Sequence, residues 1–146
     1  MIPGNLARSY IGQISEAVLQ HPRWFAKNKV IIAGDLNSNT KWDGKRDLHT
    51  HSGLVRQLED HRLISTYHQF FSERQASETR QTYYQWHRRE PAFHIDYIFI
   101  PKCWATQMKS VEVGEYDAWS KLSDHVPLTV DMHDNSPHQS LTAHSN

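Results

Sequence analysis

A chain of 146 residues with equal numbers of acidic and basic side chains has single-domain length and no global positive field to draw it onto nucleic acid. Five Trp, six Tyr and five Phe argue against disorder, because large rings supply much buried area per residue. A single cysteine, Cys103, excludes an internal disulfide and a cysteine-rich zinc site, and no run of 18 apolar residues is present to span a membrane.

In chain order, Leu6, Tyr10, Ile14, Ala17 and Val18 recur at helical spacing and predict an amphipathic helix over about Ala7 to Gln20. His21-Pro22 stops it. Val30-Ile31-Ile32-Ala33 is apolar and β-branched and predicts a buried strand closed by Gly34. A polar loop follows through Asn37, Ser38, Asn39, Asp43 and Gly44, and Leu54, Val55 and Leu58 mark a short helix. Leu63 to Tyr67 reads as a strand, and Ser72 to Gln81 as a charged loop or helix. Thr82 to Trp86 and His94 to Ile100 are strand-like, joined by His87-Arg88-Arg89-Glu90-Pro91, and suit a long-looped antiparallel hairpin. Met108 to Val113 predicts a strand, Gly114 to Lys121 a loop and Val126 to Met132 a last strand.

This order predicts an α+β fold, mostly antiparallel strands with covering helices. One domain is expected over residues 1–132, and a polar, disordered tail over 133–146. The N-terminus has no basic segment followed by an apolar one, which excludes a secretory signal. A lone cysteine then fits a reducing, cytoplasmic setting. Eleven His make charge sensitive to pH near neutrality.

Three segments set acidic or amide residues at a strand end: Gly34-Asp35-Leu36-Asn37, His94-Ile95-Asp96-Tyr97 and Ser123-Asp124-His125. A charge leaving an apolar strand belongs in a cleft, because burial without a partner is costly. Asp96 within its strand needs a partner, and His125 is the natural one.

These segments, in this order, resemble the endonuclease/exonuclease/phosphatase superfamily, the DNase I-like fold. The resemblance rests on Val30 to Asn37, His94 to Phe99 and Ser123 to Leu128, and extends over Ala7 to Met132. It implies the C-terminal half of a four-layer α/β/β/α sandwich and a Mg²⁺- or Mn²⁺-dependent phosphoesterase, nuclease-like, attacking phosphorus with water. It implies that Asp35 orients or deprotonates the water and that Asn37 holds the water or a phosphate oxygen. It further implies that Asp124 contributes to the metal site, that His125 contacts the scissile phosphate and that Asp96 orients His125. The substrate is a phosphoester, nucleic acid among the candidates.

The chain departs from the family in lacking its first strand and metal-binding Glu; Glu16 has no matching motif. The departure implies a truncated chain needing a complementing N-terminal half or self-association. The alternative is a catalytically silent remnant that binds phosphate or a partner.

Other residues keep a plainer reading beside a chemical one. His49 and His51 suit a metal as ligand types but read more simply as solvated loop residues. His87-Arg88-Arg89 suits substrate phosphates or a solvated loop. Tyr83, Tyr84 and Trp86 suit base stacking or packing. Trp119 lines a cleft or seals the core. Cys103 reads as a small buried hydrophobe.

Overall fold

A computed structural model describes residues 10–25, 29–44 and 49–133. Helix α1 spans Tyr10–Gln20 and buries Ile11, Ser15 and Val18, with Ile14 partly covered. The buried face is therefore turned from the expected one, and Tyr10 is exposed. Residues 7–9 of the expected helix lie outside the described residues.

Strand β1 is Ile32–Asp35, not a run closed by Gly34. Gly34 sits at φ +141°, a backbone that side-chain-bearing residues rarely adopt, so the chain stays extended through it and carries Asp35 into the ladder. Helix α2, His51–Asp60, starts where the Thr50 hydroxyl accepts from the Gly53 N–H. The Asp43 carboxylate accepts from the N–H groups of His51 and Ser52, satisfying two more orphan donors of that first turn. Leu54, Val55 and Leu58 face inward as expected.

Strand β2 covers only Leu63–Ser65, and Thr66–Phe71 turns into helix α3. The predicted strand to Tyr67 is thus cut short. Thr66 instead donates its hydroxyl to the Ile98 carbonyl, and Tyr67 is fully buried. The hairpin forms, but between β3, Tyr83–Tyr84, and β4, Ala92–Phe93. The longer strand beyond it, β5, is Asp96–Pro101 and pairs elsewhere: antiparallel with β1 on one side and β2 on the other. β6, Met108–Val113, pairs antiparallel with β7, Leu128–Met132. The expected loop between them contains a short helix, α4, Tyr116–Trp119.

These elements make an α+β fold of helices on antiparallel sheets. Alternation along β5 sends Tyr97 and Phe99 into a core shared with Ile11, Val18, Phe25, Leu36, Leu54 and Leu58. Asp96 and Ile98 point away from that core into a cleft walled by Ala33, Val126 and Leu128. The β6–β7 pair closes tightly at Gly114, where a Cβ would lie 2.6 Å from the Pro127 ring. Residues 134–146 of the expected tail lie outside the described residues. No described helix is long and apolar enough to cross a membrane.

Candidate active site

Asp35 ends β1 and Asp96 begins β5, and the register places them directly opposite each other. Two carboxylates facing across a ladder repel. His125 lies between them: Nδ1 is 2.9 Å from Asp96 Oδ2, and Nε2 is 4.0 Å from Asp35 Oδ2. An ionised carboxylate can only accept, so Nδ1 holds the proton of the Asp96 bond and Nε2 is turned to Asp35. The 4.0 Å gap is too long for a direct hydrogen bond and leaves the Asp35 carboxylate and Nε2 facing one another for a water that donates to the carboxylate.

The segment carrying His125 is stitched to β3. The Tyr84 N–H donates to the Asp124 carbonyl at 2.7 Å, and the Val126 N–H donates to the Thr82 carbonyl at 2.8 Å. Tyr83 bridges His125 through the backbone and packs its ring 4.8 Å from the imidazole. The Ser123 hydroxyl accepts from the His125 N–H.

Thr82 joins the two halves of this site. It is fully buried, and its hydroxyl accepts from the N–H groups of both Ile95 and Asp96. Its carbonyl holds Val126, so one residue positions Asp96 and the neighbour of His125. Sequence reasoning missed it; the only signal was a β-branched hydroxyl residue opening a predicted strand. Asn39 was missed for the same reason. It is buried within the polar loop and donates to the His94 carbonyl and the Tyr97 hydroxyl.

Asp35 also makes a turn, since its Oδ1 accepts from the Asn37 N–H at 2.6 Å. Asn37 is exposed at φ 48°, a left-handed backbone that Asn tolerates. One Asp35 oxygen thus serves the turn and the other faces His125. Asp124 is half-buried and its carboxylate accepts no hydrogen bond from a described residue. Trp119 lines the cleft of about 410 Å³ that Asp96 and His125 share, so it is a wall residue and not a core seal.

Among the described residues no group of three or more His, Cys, Asp or Glu side chains is arranged to hold a metal ion. Mg²⁺ keeps several waters and takes only one or two protein carboxylates. Asp124 is an oxygen ligand of that kind, though it is not among the residues lining the cleft that Asp96 and His125 share.

A second polar layer lies beneath the sheet. His51 is buried, not the solvated loop histidine expected, because the Thr50 cap starts α2 there and turns its ring against Tyr97. Burial lowers its pKa to about 4 although Asp43 opposes the shift. Burial likewise lowers that of His94. Glu78 is resisted by burial, yet the bonds from His68 and the Ala76 N–H bring it down to about 2. Burial pushes the Tyr97 phenol up. Two further expectations fail on exposure: Cys103 is exposed at the start of a 3-10 turn, and Trp86 stands in solvent instead of packing.

Comparison with known proteins bears on this geometry. The model of the Endonuclease/Exonuclease/phosphatase family matches residues 19–125. Among solved structures, the chain is similar to a 3′-5′ exonuclease, NExo, from Neisseria meningitidis, with TM-score 0.58 and 20% identity over 84% of this chain and 51% of that one. The 3′ phosphatase NExo from Neisseria, bound to a product DNA hairpin, aligns with TM-score 0.58 and 20% identity over 85% and 51%. The AP endonuclease LMAP from Leishmania major aligns with TM-score 0.60 and 14% identity over 90% and 44%. The chain therefore spans about half the length of these structures. No curated protein matches it.

Proposed function

The chain belongs to the endonuclease/exonuclease/phosphatase family, and from that premise we propose that it hydrolyses phosphoester bonds with a divalent metal, acting on nucleic acid. The observation that carries the proposal is His125 held at 2.9 Å by Asp96 while its other nitrogen faces Asp35 across 4.0 Å. Turn formation alone accounts for none of that convergence, and carboxylates opposed across a ladder cost stability unless a proton or cation lies between them.

Asp35 orients the attacking water and takes its proton as the water oxygen bonds to phosphorus and the leaving oxygen departs. With both ring nitrogens protonated, a form that the Asp96 carboxylate favours, His125 donates from Nε2 to a phosphoryl oxygen where negative charge builds. Asp96 accepts from Nδ1 and fixes the ring's orientation, as a buried Asp does for the His of a hydrolase triad. Asn37, exposed beside Asp35, holds the water or a phosphate oxygen. Asp124 would hold Mg²⁺ or Mn²⁺, which when bound supplies Lewis-acid stabilisation of the phosphoryl oxygens. A nucleic-acid substrate is favoured by likeness to a structure bound to a DNA hairpin.

A second reading rests on the absence of a three-residue metal cluster among the described residues: a silent module that binds phosphate without turning it over. The test is hydrolysis of bis(p-nitrophenyl) phosphate, plasmid DNA and single-stranded oligonucleotides with Mg²⁺ or Mn²⁺, before and after EDTA. Turnover that EDTA removes and that the double change Asp35→Ala, His125→Ala abolishes is expected. No turnover with either metal leaves the binding module; turnover surviving the double change places the site elsewhere.

A further inference from the structure

The loop between β3 and β4 is built to hold one side chain out. Trp86 is 67% exposed, and it and His87 both adopt left-handed backbone, at φ 55° and 56°. Such a conformation on bulky residues is strained and persists only where surrounding contacts over-determine it. Those contacts are present. The Gln85 N–H donates to the Pro91 carbonyl and the Arg88 N–H to the Gln85 carbonyl. His87 Nδ1 lies 2.8 Å from the Ser120 carbonyl, and the Tyr116 hydroxyl donates to the His87 carbonyl at 2.7 Å. Arg89 pairs with Asp117 and lies over the Tyr116 ring, which itself packs against Tyr84.

The loop is thus clamped to α4 by its backbone and its flanks, while Trp86 is left largely exposed. Its one ring partner among the described residues is the Arg88 guanidinium, 5.9 Å from the ring centroid. Arg88 is exposed and has no ion pair among the described residues. The placement matters: Trp86 is two residues from Tyr84, whose N–H bonds Asp124. Two residues span at most about 7 Å of chain, so the Trp86 backbone lies within that reach of the strand bonded to Asp124, although the ring is not part of the cleft lining.

From this we propose that the 85–91 loop is a stacking platform for an unpaired nucleobase, with Trp86 taking the base face and Arg88 the neighbouring backbone phosphate. An exposed, rigidly mounted π-face with a free guanidinium is the combination that binds single-stranded nucleic acid without sequence preference. The neutral chain as a whole leaves this local pair to supply the contact. The inference rests on the phosphoesterase reading of the adjoining site and narrows its substrate to nucleic acid with an unpaired end or stretch.

The test is made in EDTA, so that binding is read without turnover. Fluorescence anisotropy compares a labelled single-stranded oligonucleotide with one of equal length made of abasic tetrahydrofuran units. The unaltered chain is expected to prefer the base-bearing strand by about tenfold or more, the worth of one stacked base. Trp86→Ala removes that preference while leaving abasic binding unchanged, Trp86→Phe retains most of it, and Arg88→Gln weakens both strands together. Equal binding of the two strands by the unaltered chain, or an undiminished preference in Trp86→Ala, overturns the proposal. So does loss in Trp86→Ala of binding to phosphatidylserine vesicles with no change on oligonucleotides, which would make the loop a membrane wedge. A catalytically silent chain that keeps the Trp86-dependent preference would sink the hydrolase reading and leave this platform standing.

Discussion

Changing Asp96 to Asn keeps the side chain's shape and removes its charge, which isolates the bond to His125. That bond is 2.9 Å long, between side chains 21% and 31% exposed. A hydrogen bond to a charged group contributes about 1.5–3 kcal/mol, and partial solvent access places this one in the lower half of that range. Loss of about 1.5–2 kcal/mol of transition-state stabilisation lowers kcat/KM by about 10- to 30-fold. Asp96 holds the imidazole and does not touch substrate, so KM should stay within about twofold while kcat falls. The assay is steady-state hydrolysis of bis(p-nitrophenyl) phosphate with Mn²⁺, paired with ¹⁵N–¹H correlation of the His125 ring. The unaltered chain should show a proton on Nδ1 held by Asp96, and the variant should show that signal weakened. A kcat within twofold of the unaltered chain refutes the reasoning, as does a ring protonated on Nε2 alone or a loss explained by a fall in Tm.

Acid should loosen the fold in a defined window. Buried His51 has its pKa lowered to about 4, against about 6.5 in the unfolded chain. The unfolded state therefore takes the proton first: the stability is present above about pH 6.5 and is lost as pH falls towards about 4, by about 3 kcal/mol in all. Urea unfolding between pH 7.5 and 4.5 measures it. His51→Phe should reduce that slope, the remainder belonging to His94, whose pKa burial also lowers, and an unchanged slope in the variant would assign the loss to another group; Glu78, at about 2, acts only at still lower pH. Gly114→Ala would set a Cβ 2.6 Å from the rigid Pro127 ring. It should cost about 1–3 kcal/mol, read as a lower urea midpoint, and a midpoint equal to that of the unaltered chain would show that β6 and β7 yield freely there.

Much of the site was legible as local chemistry. Gly34-Asp35-Leu36-Asn37, Asp96 within an apolar strand and Ser123-Asp124-His125 each put a charge beside an apolar run, although β1 proves largely exposed and only β5 is largely buried; the Asp96–His125 pairing followed from the need of a buried charge for a partner. Local sequence also marked α1, α2 and β6, because their apolar periods are written in consecutive residues. It misjudged Leu63 to Tyr67, where a β-branched run reads as strand while the Thr66–Ile98 bond turns the chain into a helix. Thr82 and Asn39 stayed hidden because a hydroxyl or amide says nothing of its partners until the chain closes.

By itself, then, the sequence marked Asp35, Asp96, Asp124 and His125 as ionisable groups in or beside apolar runs, and it placed α1, α2 and β6. Tertiary structure alone decided that Asp35 stands opposite Asp96 with His125 between them, that His51 is buried and that Trp86 is held out in solvent. Periodicity is a property of neighbouring residues, set by the repeat of the backbone. Strand register, burial and loop bracing join residues far apart in the chain, and they are settled only by the packing that brings those residues together.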